Sequence, residues 1–297
     1  MLIFSDAFRV FTPILRFANL LKPFVALSIL ACVAVPVSAD TIAWWRFEEG
    51  TANARAAGTG GIFDLSGSYL NGTAFYDPMY RVSPVPDSSL GLEFTGGSSG
   101  SQRIFVPDNP TLYLTKSLTL EAFVRYDGIP TPETLASQIV FRGDSRDALD
   151  PYTLAIANDG RLFLDISSLT QRVQLHTPTA IPIGKYLHVA GSLNDATGEM
   201  KLFVNGVEVA SQITAVRPFA ELTGPDPGIG IGNVQSDNSK QAFGGIIDEV
   251  RISNAALTPS QFLNGGSVAD IPVPEPGLSV LRGMIPLPSP VVVRRRK

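Results

Sequence analysis

Short runs of β-branched and aromatic residues, broken at regular intervals by Gly, Asn, Asp and Pro, limit what this chain can fold into. The runs fall at 42–47, 91–95, 103–106, 117–126, 138–141, 152–157, 161–166, 172–176, 186–193, 200–204, 228–231 and 243–252. Strands at this spacing, with turn signals between them, predict an all-β sandwich rather than a parallel α/β sheet. Asn158-Asp159-Gly160 and Asn205-Gly206 read as hairpin turns, because these residues accept positive φ. Only residues 258–263 read as a helical turn, with Thr258 as N-cap and Pro259 in the first position. Alternation assigns faces. Leu118, Leu120, Ala122 and Val124 point to one side of their strand, and Thr119, Glu121 and Phe123 to the other. Residues 201–204 are apolar on both faces, as expected of a strand covered on both sides.

Composition narrows the function. The chain is 44% hydrophobic and 17% charged, too apolar for disorder. The span from Asp40 to Val293 carries 16 Lys and Arg against 26 Asp and Glu, a net of −10. An acidic body without a basic stripe argues against nucleic acid or an anionic membrane as partner of the folded part. The single cysteine, Cys32, lies in an apolar leader, so the body holds neither disulfides nor a thiolate metal site. With His176 and His188 the only histidines, a zinc site is not expected either.

Both ends read as addresses. Lys22, an apolar stretch over 23–35 and Pro36-Val37-Ser38-Ala39 before Asp40 have the build of a secretory signal peptide cleaved by signal peptidase between Ala39 and Asp40. Two other readings stay open: a lipoprotein signal through Ile29-Leu30-Ala31-Cys32, with Cys32 lipidated, and an anchor that stays uncut. At the far end, Val273-Pro274-Glu275-Pro276, an apolar run over 277–293 and Arg294-Arg295-Arg296-Lys297 resemble the PEP-CTERM sorting signal of Gram-negative bacteria. That resemblance implies transient inner-membrane association, cleavage by an exosortase and delivery to the cell surface or extracellular matrix. Arg282, Pro286, Pro288 and Pro290 interrupt the run, which at about 17 residues is already at the short limit for a spanning helix. A disordered Pro-rich tail is the competing reading. The resulting division is a signal peptide over 1–39, a folded domain over 40–263, a linker over 264–271 and a sorting segment over 272–297.

Several segments, in order, carry a family resemblance. They are Ala43-Trp44-Trp45-Arg46-Phe47-Glu48-Glu49-Gly50, Asp64-Leu65-Ser66-Gly67 with Asn71-Gly72-Thr73, Gly91-Leu92-Glu93-Phe94, and the strand 117–124. Ile139-Val140-Phe141-Arg142-Gly143-Asp144, Tyr186-Leu187-His188-Val189-Ala190-Gly191, Lys201-Leu202-Phe203-Val204-Asn205-Gly206 and Ile247-Asp248-Glu249-Val250-Arg251-Ile252 follow. Between Thr41 and Phe262 the chain resembles the LamG-like jelly-roll domain of the concanavalin A-like lectin/glucanase superfamily, with Phe123 and Tyr186 where tryptophan is usual. The resemblance implies a jelly-roll β-sandwich of two antiparallel sheets. It also implies one structural calcium ion, held at Asp64, Asn71 and Asp248 with help from Glu48 or Glu49. Hard oxygen donors suit an acidic, thiol-free body. The rival reading has Asp64 capping an Asx-turn and Asp248 paired with Arg251 or backbone.

Catalysis is not expected. The glucanase branch of the resembled superfamily carries Glu-x-Asp-x-x-Glu on one strand; here Phe123 and Arg251 stand two residues after Glu121 and Glu249. Gly96-Gly97-Ser98-Ser99-Gly100 matches a nucleophile elbow in letters, but a strand follows it where the elbow needs a helix. His188 reads as a hydrogen-bonded sheet histidine, and Arg142-Gly143-Asp144 as a hairpin, not an adhesion tripeptide. Of Trp44 and Trp45 one is core and the other a possible sugar platform. Asp144, Asp147 and Asp150 read as a solvated loop. The expected function is an exported, non-catalytic glycan-binding or adhesive module. A matrix protein without a discrete ligand is the alternative, and a polysaccharide hydrolase trails both.

Overall fold

The computed structural model describes residues 40–96, 102–128, 131–146, 150–236 and 238–266. Fifteen strands are present among them. They are β1 (Thr41–Trp45), β2 (Thr73–Phe75), β3 (Met79–Val82), β4 (Leu90–Thr95), β5 (Arg103–Pro107), β6 (Leu118–Tyr126), β7 (Ala136–Gly143) and β8 (Tyr152–Ala157). The rest are β9 (Leu162–Ser167), β10 (Arg172–His176), β11 (Tyr186–Leu193), β12 (Glu199–Val204), β13 (Val207–Ile213), β14 (Gly228–Ile231) and β15 (Gly244–Ser253). One antiparallel sheet runs β13-β12-β11-β6-β15-β4-β3, with β1 also on β15; the other runs β10-β9-β8-β7-β14-β5-β2. The expected two-sheet jelly roll is the fold found.

The core lies between the sheets and follows the alternation. Leu118, Leu120, Ala122 and Val124 of β6 pack inward with Leu154, Ile156, Leu162, Leu164 and Ile166 of the facing sheet. Trp45 is fully buried there, and its indole N–H donates to the Leu70 carbonyl at 2.8 Å. Burial of such large side chains is the main stabilising term, roughly 1.5–3 kcal/mol for each.

β15 is the seam of its sheet. β6 pairs with it along one side; on the other, β4 pairs with Gly244–Ile247 and β1 with Val250–Ser253. Where the neighbour changes, the ladder to β6 bulges between Asp248 and Arg251, and Glu249 turns to φ 49°. Gly245, at φ 136°, lies so close to β6 that a Cβ would sit 2.0 Å from the Arg125 carbonyl oxygen. Only glycine fits that position.

A C-terminal strap over 255–266 covers the outer face of the eight-stranded sheet. Thr119 Oγ1 donates to the Ala255 carbonyl at 2.6 Å and accepts from Leu257 N–H at 2.9 Å. Phe262 packs on Phe203 and on His188, with ring centroids 5.0 and 5.2 Å apart. Glu121, wholly buried, accepts from His188 Nε2 and from Leu263 N–H, both at 2.9 Å, and pairs with Arg251. The strap contains the expected turn, a 3-10 segment Pro259–Gln261 with a Thr258/Gln261 capping box. Folded structure extends past 263: Asn264 donates to the Pro86 carbonyl at 3.1 Å, and Gly266 is buried.

Candidate functional site

Among the described residues, the outer face of the seven-stranded sheet has no such strap. Alternation along β8, β9 and β10 places Thr153, Ala155, Phe163, Asp165, Arg172, Gln174 and His176 on this face, opposite the core-facing leucines and isoleucines. In-register pairing then lines them up across strands, Ala155 beside Phe163 and His176 beside Phe163. Three adjoining hollows occupy the face. The largest, about 330 Å³, is lined by Gln138, Phe141, Phe163, Arg172, Gln174 and His176 among others. The second, about 190 Å³, shares Phe141, Asp150 and Gln241 with it and adds Asp144, Arg146, Gln235 and Asn238. A third, about 300 Å³, shares Gln235 and Ser236 with the second and is walled by Phe75, Arg103 and Phe105. Together they reach from β10 at one edge to β2 at the other, six inter-strand steps or about 29 Å. Gly230 of β14 makes room for the wall between hollows, since a Cβ there would meet the backbone of Val234 at 2.3 Å.

Hydrogen-bonding capacity on this face is left over. Gln138 Nε2 donates to Gln241 Oε1 at 2.7 Å, yet Gln138 Oε1 has no partner, nor does either amide atom of Gln235. Asp165 accepts from Gln174 at 3.0 Å and pairs with Arg172 through Oδ2, while its Oδ1 is unpartnered. His176 stacks on Phe163 with centroids 5.2 Å apart, and its Nδ1 is also unpartnered. Burial, then the charge of Arg161, lowers the His176 pKa and so favours the neutral ring. Burial would raise Asp144, but bonds from Arg146 and from Gly224 N–H outweigh it and hold the carboxylate below its ordinary range. At the β2 edge, Arg103 lies 4.4 Å over the Phe75 ring, and Phe75 meets Phe105 edge-on at 6.5 Å.

The residues singled out from sequence lie elsewhere or play other parts. Asp64 accepts from Trp44, Ser66 and Leu70 N–H, each at 2.9 Å, and from the Ser66 hydroxyl, so it closes an Asx-type turn. Asn71 joins it through Asp64 N–H at 3.0 Å. Asp248 is on β15 with both carboxylate oxygens unpartnered; Arg251 pairs with Glu121 instead. Glu48 holds the 88–90 loop, accepting from Ser88, Ser89 and Leu90, and Glu49 accepts from Phe63 N–H. Among the described residues no three His, Cys, Asp or Glu side chains gather as a metal cage. Trp44 is the outward tryptophan, but Arg46 lies over its ring at 5.3 Å and the ring packs against the cluster of Val85, Phe123 and Leu263, so it is partly covered. Arg142 is fully buried in a bidentate pair with Asp108, both bonds 3.0 Å, which closes the adhesion-tripeptide reading. The solvated-loop reading is corrected: Asp144 is buried because Arg146 and Gly224 satisfy it, while Asp147 lies outside the described residues. Most of the Gly96–Gly100 motif, the Ala39 side of the cleavage site, Cys32 and the whole 267–297 segment also lie outside them.

Comparison with known proteins fits this architecture. The Laminin_G_3 model of the concanavalin A-like lectin/glucanases superfamily matches residues 97–262, more than half of the chain. The chain belongs to that superfamily. Among solved structures, domain 4 of AbnA, an extracellular arabinanase from Geobacillus stearothermophilus in complex with arabinotriose, superposes with a TM-score of 0.53 at 24% identity. That match covers 77% of this chain and 99% of the other. The binding domain of Paraclostridial Mosquitocidal Protein 1 gives 0.52 at 15% identity, covering 70% and 49%. The binding domain of botulinum neurotoxin serotype G gives 0.52 at 11%, covering 74% and 49%. At these identities the likeness is one of fold. No curated protein sequence matches the chain.

Proposed function

We propose that this protein is a non-catalytic glycan-binding module and that the groove on the seven-stranded sheet is its binding surface. The observation that carries the reading is the polar capacity left unspent on Gln138, Asp165, His176 and Gln235, beside the aromatic side chains of the same sheet face. Sugars offer hydroxyls that both donate and accept, and flat C–H faces that pack on aromatic rings. A buried amide without a partner costs about 1–3 kcal/mol, and ligand hydroxyls reaching it would recover part of that. The likeness to a domain solved with arabinotriose supports the same reading. Non-catalytic action is supported at Asp144, whose pKa is lowered by Arg146 and Gly224 N–H, whereas a general acid needs a raised pKa. A glycan array with the full chain tests the proposal. Saturable binding, lost in a Gln174→Ala/Gln241→Ala variant, is expected; an array without saturable signal would refute it.

Export belongs to the reading as a proposal resting on the sequence of the two ends. The intact mass of the natural product, expected to begin at Asp40 and to lack the 294–297 end, checks both processing steps at once. A structural calcium ion is a further proposal. Asp248 is the member of the expected set with free oxygens, while Asp64 and Asn71 would have to release N–H donors to a cation. Melting of chelator-stripped protein with added calcium decides it, and an unmoved midpoint at millimolar calcium removes the ion.

A further inference from the structure

We infer that the groove selects uncharged glycans over uronic-acid or sulfated ones; the inference rests on the glycan-binding reading above. The cations lining the groove are already committed. Arg146 donates to Asp144 through Nε at 2.9 Å and Nη2 at 2.6 Å, and Arg172 pairs with Asp165. Arg103 Nε donates to the Gln235 carbonyl at 3.2 Å, and its guanidinium lies over Phe75. To engage Arg146 or Arg172, an anionic sugar would have to take it from Asp144 or Asp165, leaving that buried carboxylate without its counter-charge. It would also meet Asp144, Asp150 and Asp226 along the walls of the hollows. Asp144 and Asp165 are buried, so solvent screens them little. His176, the remaining basic group of the largest hollow, has its pKa lowered by burial and by Arg161, which disfavours a charge there. Besides Asp165 Oδ1, the unspent groups are the amide oxygen of Gln138, both amide atoms of Gln235 and the imidazole Nδ1. Those match neutral hydroxyls, each able to donate to one and accept from the other. The net charge of −10 on the body adds a long-range bias against polyanions.

Native affinity electrophoresis of the full chain tests this with polygalacturonate, with the same polymer after carboxyl reduction, and with arabinan, xylan and β-glucan, at low and high salt. The expected result is retardation by at least one uncharged polymer, unchanged by salt, and tighter by about tenfold for the reduced polymer than for its parent wherever either binds. The Gln174→Ala/Gln241→Ala variant is expected to lose about tenfold for the uncharged polymer, the worth of one or two hydrogen bonds. Retardation by the uronate alone, fading with salt, would overturn the selectivity and leave glycan binding standing. Uncharged-polymer binding untouched by the variant would overturn the groove as its seat. No retardation by any polymer would bring down the glycan-binding reading itself.

Discussion

Asp248 occupies the point on β15 where β4 ends and β1 begins, with no exposed surface and no well-formed hydrogen bond to either carboxyl oxygen. Burial pushes its pKa up to about 8; the nearby Ser83 hydroxyl pulls it partly back, and the Glu249 charge pushes again. In the unfolded chain the same group ionises near the ordinary aspartate value of about 4. The folded state therefore binds the extra proton between these two values. The contribution of this group to stability is fullest below about pH 4, declines by up to about 1.4 kcal/mol for each pH unit as pH rises toward 8, and levels off above. Asp248→Asn, a neutral group of the same shape, is expected to flatten that decline. In chelator, its melting point should exceed the parent's by several degrees at pH 8 and match it near pH 4. Parallel pH profiles would show that the carboxylate is ionised in the fold. Asp64 makes the contrast: four donors surround its carboxylate, and neutralising it as Asp64→Asn is expected to destabilise by about 1–3 kcal/mol, read from denaturant midpoints.

At the scale of elements, β15 and the strap depend on single contacts that few substitutions can satisfy. Gly245→Ala sets a methyl against the Arg125 carbonyl and forces a side chain into a φ of 136°, so a loss of more than about 3 kcal/mol is expected, or no soluble protein. Glu121→Ala leaves Arg251 and His188 without their common acceptor and frees Leu263 N–H, at a cost of about 3–5 kcal/mol for the broken buried pair. Since those bonds hold the strap, limited proteolysis should then cut near 255–266 well before the sandwich unfolds. Strap and sandwich cut at equal rates would mean that Glu121 does not fasten it.

These elements also show what a bare sequence can reveal. The alternation in β6 placed Leu118 to Val124 on their proper faces because both faces are buried against different partners, the facing sheet and the strap. The short β2 and β3, at the sheet edges, and the mostly exposed β13 escaped detection: Thr73–Phe75 has too few residues for a period, and Val207–Ile213 mixes Glu, Ser and Gln into an edge that water can solvate. Glu121 was legible as outward-facing but not as a hub, since His188, Arg251 and Leu263 reach it from positions up to 142 residues away. The groove was hidden for the same reason. Its members come from β2, β5, β7, β8, β9 and β10, from Asp144, Arg146 and Asp150 after β7, and from Asp226 and residues 234–236, 238 and 241, and only the strand order sets them side by side.

For the whole molecule, the two outer faces have opposite fates. The eight-stranded sheet receives the strap, and the chain leaves the described region at Gly266, packed against Gly206 and His188 on that sheet. The seven-stranded sheet, across a core about 10 Å thick, keeps its outer face for the groove. A tether fixed at Gly266 would therefore hold the molecule by its back and leave the groove facing away from it. Surface coupling of a chain over residues 40–297 puts this to measurement, because that span contains no cysteine. Protein coupled through its C-terminus is expected to bind the glycan found on the array with the solution affinity. Protein coupled through Ser236→Cys, in the wall shared by two hollows, should lose most of its binding capacity. Equal capacity in both orientations would place the ligand off the seven-stranded sheet, and the opposite preference would place it on the strap side, beside the charged hollow formed by Glu199, Lys201 and Glu208.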